Sequence, residues 1–294
     1  MTTTAAPSPT DRLALAVVTE PERAQPAPAG AREEALRTLL NTAADGGVSL
    51  IATRPDGDGE RLLGQAWPFP SPFQVTVRTV SLNEGVDRVE ARARRSLERL
   101  GLPRGDTLLV SNASDLAGAE GRALWDRLTA LKDRGLFRRI GFCAGVEDGP
   151  ALLARRLNPD VVQIPCNLLD QRAARSGLLA ELRALDVAVH LSSVFARGVL
   201  FMGTEALPPE MAQHAHALSR TRRRLAEARV DPMQATLAYV MGLKEASAVV
   251  ASVASAAELR AVLAAAHAPM PDLDWSSLAL ETPTAAVSRV SSAA

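Results

Sequence analysis

Short apolar runs rich in β-branched residues alternate along this chain with longer segments whose apolar residues recur at helical spacing. The short runs have the length and composition of β-strands, and there are eight of them. They cover residues 13–18, 48–52, 73–80, 107–112, 137–143, 161–165, 187–193 and 248–252. The segments between them are predicted helices at residues 32–44, 60–67, 85–100, 121–134, 150–157, 171–185, 209–229, 232–242 and 256–266.

Strands that alternate with helices require parallel pairing and right-handed crossover connections. Eight such units in about 260 residues fit a closed (β/α)8 barrel, an α/β fold whose chemistry lies in the loops after the strands. An open doubly wound sheet is the alternative, but no Gly-x-Gly-x-x-Gly motif follows the first strand. The pattern therefore favours the barrel.

Composition and charge narrow the function. Lysine plus arginine and aspartate plus glutamate number 33 each, so the net charge of zero provides no field that would attract nucleic acid or an anionic membrane. Cys143, Cys166 and four histidines show no metal-ligand spacing, so we expect no bound metal and a reducing, cytoplasmic setting. No signal-peptide pattern and no run of about 18 apolar residues is present, so we expect a soluble protein.

The chain is long and apolar enough for one large domain, which we predict over residues 11–276. Residues 1–10 and 277–294 are rich in Ala, Ser and Thr and are predicted to be disordered. A Pro/Ala-rich loop at residues 20–30 follows the first strand and should lie at the catalytic end of the barrel. This loop and the C-terminal tail are candidate interaction surfaces.

Several short motifs indicate which kind of barrel this is. They are ERLLG at residues 60–64, SLERLG at 96–101, LKDRG at 131–135 leading into RIGFC at 139–143, DVVQIPCN at 160–167 and SVFARGVL at 193–200. In order and spacing they resemble the aldo/keto reductases over roughly residues 12–276. The resemblance implies a (β/α)8 fold and descent from enzymes that use a nicotinamide cofactor.

At the barrel mouth this family has an aspartate, a tyrosine, a lysine and a histidine, and the resemblance places Ala52, Asp56, Arg78 and Ser111 there. An ionised aspartate is a poor proton donor to a ketone, arginine keeps its proton, and serine cannot protonate a carbonyl oxygen. The only tyrosine, Tyr239, lies on a predicted helix far along the chain. The loss of all four groups argues against carbonyl reduction of the family type.

The cofactor side is better retained. The resemblance assigns it Gln163, Ser193, Phe195, Arg197, Gly198, Ser252 and Glu258. The glutamine matches the residue that hydrogen-bonds the nicotinamide amide, the next four match the loop along the pyrophosphate, and the last two match the adenine side. Cys143 and Ala144 replace the polar pair that supports this glutamine. Because no lysine or arginine faces the position of a 2′-phosphate, the resemblance favours NAD(H) over NADP(H).

Some of these residues also have structural interpretations. Gln163 could satisfy backbone groups at a strand end, and Arg78 could either bind an anion or form an ion pair with Asp56 or Asp58. The arginine-rich runs at residues 92–95 and 220–224 are most simply solvated helix faces.

Three hypotheses remain open. The chain is a regulatory pseudoenzyme that binds NAD(H) and acts through protein partners, an oxidoreductase with a rearranged site built on Arg78 and Asp58, or a structural protein that binds no dinucleotide. We favour the first. The pattern is similar to a division and cell-fate regulator of alphaproteobacteria that belongs to the same family. That similarity implies a tubulin-like division GTPase and a histidine kinase as partners.

Overall fold

The computed structural model describes residues 9–18, 29–55, 57–68, 70–281 and 283. Asp56 lies outside these residues, and so do most of the loop at residues 20–30 and most of the two predicted disordered segments.

Eight parallel strands pair in sequence order, and the last pairs with the first to close a barrel. They are β1 (Leu13–Val17), β2 (Leu50–Ala52), β3 (Gln74–Arg78), β4 (Gly105–Val110), β5 (Phe137–Cys143), β6 (Val161–Pro165), β7 (Ala188–Ser192) and β8 (Ala246–Val253). The predicted barrel and all eight predicted strands are confirmed, and β5 and β6 have the predicted bounds. The pairing excludes the doubly wound alternative.

Ten α-helices surround the strands in the described part of the chain. They are α1 (Ala29–Asp45), α2 (Gly59–Ala66), α3 (Val86–Leu100), α4 (Gly118–Asp133), α5 (Pro150–Leu157), α6 (Arg172–Arg175), α7 (Leu178–Ala184), α8 (Ala215–Glu227), α9 (Pro232–Gly242) and α10 (Ala256–His267). The single helix predicted at residues 171–185 is wrong. Gly177, with φ of 79°, separates α6 from α7. The helix predicted at 209–229 begins as a 3-10 helix, Pro209–His214, before α8.

Strand side chains alternate between the helix layer and the barrel interior. Outward residues such as Leu15 and Phe142 are fully buried in the main core beneath the helices. Inside the barrel, small residues on β1, β2 and β8 form a separate cluster. Its buried members are Ala14, Leu50, Ala52, Ala248 and Val250, and we call it the alanine cluster.

The chain stays packed against the barrel beyond residue 277, where the disordered tail was predicted to begin. Leu278 ends a 3-10 helix and is buried. Leu280 is also buried, and its backbone N–H donates to the carbonyl of Leu169 at 2.9 Å. Up to this residue the segment therefore belongs to the domain, because two leucines anchor it.

The N-terminal ends of the strands form what we call the floor of the barrel, where most charged groups are paired. The Asp106 carboxylate accepts hydrogen bonds from Arg138 at 2.8 Å and Arg139 at 2.5 Å. The hydroxyl of Thr107 donates to it at 2.7 Å. Arg12 donates to the backbone carbonyls of Met241, Leu243 and Ala246, which ties the start of β1 to the start of β8.

His190 points inward from β7 above this floor and is only 2% exposed. Burial, helped by the positive charge of Arg139, lowers its pKa to about 4. The imidazole is therefore neutral at physiological pH.

Candidate functional site

The C-terminal ends of the strands surround a cavity of about 690 Å³, which we call the mouth cavity. Arg78 from β3, Ser111 after β4, Cys143 from β5, Gln163 from β6 and Ser192 from β7 all border it. Five consecutive strands thus bring at least one residue each, on the strand or just after it, to the end of a (β/α)8 barrel where binding sites lie. Three of the residues that the sequence singled out, at positions 78, 111 and 163, share this cavity.

Gln163 is the most unusual polar side chain of the cavity. It is 2% exposed, and within the described ranges neither its amide oxygen nor its amide nitrogen has a hydrogen-bond partner. Its neighbours in register are Cys143 and His190, and neither donates to the amide or accepts from it. A buried amide without partners costs about 1–3 kcal/mol. The structural interpretation, in which this side chain satisfies backbone groups, is therefore wrong.

Arg78 ends β3 with its guanidinium at the cavity. Among described residues it forms no ion pair, and the predicted pair with Asp58 is wrong because that carboxylate binds Arg61 at 2.9 Å. Asp58 also does not border the mouth cavity. Asp56, the other predicted partner and the residue at the tyrosine position, lies outside the described residues.

The Ser111 hydroxyl is already engaged. It donates to the backbone carbonyl of Thr79 at 2.5 Å, while the Ser111 backbone N–H donates to the Thr79 hydroxyl at 3.2 Å. Because a hydroxyl has a single proton, this side chain cannot also donate to a ligand without breaking that bond. Ser111 therefore stabilises the β3–β4 junction.

No substitute for the family's proton donor is found among the other described candidates. Ala52 is buried in the alanine cluster. Tyr239, on α9, is buried with its ring 5.8 Å from that of Trp275, and burial raises the pKa of its phenol. Cys143 does reach the cavity, but burial raises its thiol pKa more than Arg78 and Arg54 lower it. The thiol is thus neutral at physiological pH.

Two arginines of the cavity were not predicted. Arg54 follows β2, and Arg92 reaches the cavity from α3 while donating to the carbonyl of Pro55 at 2.5 Å. Arg99, seven residues later on the same face of α3, donates to the carbonyl of Gly57 at 3.1 Å. The interpretation of residues 92–95 as a solvated face is therefore wrong for Arg92. The seven-residue spacing of the two arginines was the available signal.

The loop after β7 carries unusual backbone strain beside the cavity. Ser193, Ala196 and Arg197 all have left-handed φ values, of 56°, 46° and 57°. Such values are uncommon for residues with a side chain and persist where the surroundings enforce them. Asn167 contributes by donating to the Ser193 carbonyl at 3.1 Å, and Arg222 by donating to the Val199 carbonyl at 2.9 Å.

The other residues assigned to this loop lie nearby. Gly198 has φ of 79°, which suits glycine. The Phe195 ring packs 6.0 Å from that of Phe201, and Arg197 is exposed and pairs with Glu210 at 3.2 Å. None of these residues borders the mouth cavity. Their role in binding a pyrophosphate remains a prediction.

Ser252 and Glu258 lie at the end of β8 and the start of α10. Ser252 is exposed. The Glu258 carboxylate accepts from the backbone N–H of Ala254 at 2.7 Å, while the Ser255 hydroxyl accepts from the Glu258 N–H at 3.1 Å. Ser255 is thus the N-cap of α10, and the two hydrogen bonds give Glu258 a structural task at the helix N-terminus.

Neither a metal centre nor a membrane-spanning helix is found in the described ranges. No three His, Cys, Asp or Glu side chains come together there as a metal site would require. None of the described helices is both long and apolar enough to span a membrane.

Comparison with known proteins agrees with this geometry. The model of the aldo/keto reductase family matches residues 31–279. Among curated proteins, no sequence is significantly similar to this chain.

Several solved structures share the fold. The holo form of an aldo-keto reductase from Bacillus halodurans has a TM-score of 0.69 and 15% identity, with 91% of this chain and 90% of that chain covered. Glycerol dehydrogenase from Gluconobacter oxydans has a TM-score of 0.65 and 16% identity, with 85% of each covered. A putative aldo-keto reductase from Pseudomonas aeruginosa has a TM-score of 0.62 and 20% identity, with 86% and 89% covered.

Proposed function

This chain belongs to the aldo/keto reductase family, and from that membership we propose that it is a regulatory pseudo-oxidoreductase, which binds NAD(H) without family-type carbonyl reduction and acts through protein partners. The family uses NAD(P)H, so a dinucleotide is the ligand to test first. The mouth cavity is the place where its nicotinamide would bind.

The observation that carries the proposal is the unpartnered amide of Gln163. A primary carboxamide is its own complement, since each offers one acceptor and two donors. The nicotinamide carboxamide would satisfy both buried atoms that the described protein leaves unsatisfied. When bound, the nicotinamide could supply hydride chemistry, but the chain's own residues decide whether a proton can accompany it.

The residues around the cavity argue against that proton transfer. The Ser111 hydroxyl donates its proton in a hydrogen bond to the Thr79 carbonyl. Arginine does not release its proton in a protein, so Arg78 cannot act as the acid. Burial raises the pKa of the Cys143 thiol, which makes it a poor acid as well. Three described carboxylates border the cavity, and none of them occupies a tetrad position. They are Glu84, Glu147 and Asp148. These features support binding without the reduction typical of the family.

The acidic start of α10 supports NAD(H) over NADP(H). Glu258 holds a carboxylate there, and Ser252 is neutral. By the resemblance, these residues lie on the adenine side, where a carboxylate would repel a 2′-phosphate. We therefore propose that NADP(H) binds more weakly.

Protein partners complete the proposal. The loss of the tetrad together with a retained cofactor side is similar to KidO, a division and cell-fate regulator of alphaproteobacteria within this family. By that similarity we propose a tubulin-like division GTPase and a histidine kinase as partners. We also propose that the Pro/Ala-rich segment at residues 20–30 takes part in these contacts.

The test is a titration of the full chain with NADH and NADPH, followed by nicotinamide fluorescence, and then addition of aldehydes and ketones. We expect saturable NADH binding, weaker NADPH binding and no oxidation above background. Gln163→Leu should weaken NADH binding, whereas Gln213→Leu, the same change at an exposed position, should not. Absence of binding in the wild type would refute the cofactor role.

Carbonyl-dependent oxidation of NADH would instead favour an active reductase with a rearranged site. That alternative draws support from the solved structures of similar fold, among them an aldo-keto reductase and a glycerol dehydrogenase. The partner proposal is tested separately by mixing the protein with purified division GTPase, with and without NADH. No association in either state would refute that part.

A further inference from the structure

The described carboxylates at the mouth cavity all have partners other than Arg78. Glu84 accepts from Arg88 at 3.4 Å, and Glu147 lies 3.7 Å from Arg172, so both carboxylates have arginine partners other than Arg78. The Asp148 carboxylate accepts from the backbone N–H of Gly145 at 2.7 Å.

Arg78 is different, because within the described ranges it forms neither a hydrogen bond nor an ion pair. Its charge acts on the Cys143 thiol together with that of Arg54, so both guanidiniums lie close to the same wall of the cavity. The thiol cannot compensate them because burial raises its pKa. A half-buried guanidinium with unused hydrogen-bond donors is a favourable binding group for an anion that enters the cavity.

The form of the donor group suggests which anion. A guanidinium is a rigid planar fork that matches the two oxygens of a carboxylate. The neighbouring Ser111 hydroxyl already donates to Thr79, so the unused donors that Arg78 offers are those of its own planar fork, which the two oxygens of one carboxylate fill. A cavity of about 690 Å³ lies within the usual range for ligand sites and can hold a second small molecule next to a nicotinamide ring.

We propose that Arg78 binds the carboxylate of a small organic acid in the mouth cavity, beside the nicotinamide. The placement beside the nicotinamide rests on the proposed function, whereas the carboxylate site itself does not. In this arrangement the arginine at the lysine position of the family is a ligand-binding residue, and the protein responds to an organic acid as well as to a dinucleotide.

Pyruvate and its neutral amide, pyruvamide, are suitable test ligands, titrated into the full chain by calorimetry. We expect pyruvate to bind and pyruvamide not to. Arg78→Met should weaken pyruvate binding by about tenfold to a hundredfold, the usual range for a hydrogen bond to a charged group. Arg78→Lys keeps the charge and should recover part of that loss. Arg155→Met, an exposed arginine paired with Glu181 on α5 and α7, is the matched control and should change nothing.

Wild-type affinity retained in Arg78→Met, or equal binding of pyruvamide, would overturn the inference. The variant Asp56→Asn tests whether Asp56 is an internal counter-ion of Arg78. If Asp56 neutralises Arg78, removal of its charge should tighten pyruvate binding by about tenfold. We expect a change of at most about twofold.

A repeat with saturating NADH separates this inference from the proposed function. Retained pyruvate binding supports a second ligand beside the nicotinamide, and complete competition would assign Arg78 to the cofactor and overturn the inference. If NADH does not bind but pyruvate does, the proposed function fails while the carboxylate site stands.

Discussion

The two ends of this barrel treat their polar groups in opposite ways. At the floor, Asp106 holds two arginines and Arg12 caps three carbonyls. At the mouth, Gln163 has two unpartnered amide atoms and Arg78 lacks a described partner. The same scaffold thus pairs these floor groups for stability and leaves these two mouth groups without described partners. This contrast is the one expected when stability is concentrated below the strands and ligand recognition above them.

The largest effect should come from the floor. Asp106 is 7% exposed, so Asp106→Asn leaves Arg139 without its counter-charge and should lower the free energy of unfolding by about 3 to 4 kcal/mol. Urea denaturation measures it. Glu181→Gln, which breaks an exposed pair with Arg155, should cost at most about 1 kcal/mol. An equal loss of unfolding free energy in the two variants would show that the floor pair contributes no more to stability than an exposed pair.

The second effect is a pH dependence just above the floor. Because the folded-state pKa of His190 is about 4 and the unfolded value is about 6.5, only the unfolded chain binds this proton between those pH values. The contribution to stability is fully present above pH 6.5 and is lost as the pH falls towards 4, by about 3 kcal/mol. His190→Asn should flatten this part of the stability curve. An unchanged slope would show that other groups cause it.

The third effect should have the opposite sign. Gln163→Leu replaces an unsatisfied buried amide with an apolar group of similar size, and should raise the free energy of unfolding by about 1 to 2 kcal/mol. The same variant should bind NADH about tenfold more weakly. Thermal unfolding and nicotinamide fluorescence measure the two quantities. A loss of stability would mean that the amide has a structural partner and that the contrast between the two ends is weaker than described.

The smallest effect concerns Ser111, a mouth residue whose hydrogen bonds are satisfied within the protein, as those at the floor are. Ser111→Ala removes the hydrogen bond to the Thr79 carbonyl and should cost about 1 kcal/mol, with NADH affinity unchanged. Ser114→Ala, at an exposed position nearby, is the control and should be neutral. A marked loss of NADH affinity in Ser111→Ala would show that Ser111 has a role in cofactor binding and not only in stability.

Periodicity predicted most of the fold. The eight strands were recognisable because each is a short apolar run, but the split between α6 and α7 depends on the left-handed backbone at Gly177. Leu278 and Leu280 lie in a sequence otherwise typical of a tail, and only tertiary contacts show that they are buried.

The site was predicted less completely. The residues at 78, 111 and 163 could be placed at one end of the barrel because parallel strands all end there. What each side chain contacts could not be predicted. The bond from Ser111 to Thr79 joins residues 32 positions apart, and Arg92 reaches Pro55 across 37 positions. The pair of Asp58 with Arg61, by contrast, is local and follows from helical spacing.

The alanine cluster around Ala52 has a consequence for ancestry. An aspartate restored there would place a carboxylate among Ala14, Ala248 and their apolar neighbours. A carboxylate buried there is destabilising unless a cation pairs with it. The charge of Arg78, which ends the neighbouring strand β3, is one available in that direction among the described residues. The apolar packing inside the barrel thus makes a return of this catalytic group depend on the residue at position 78.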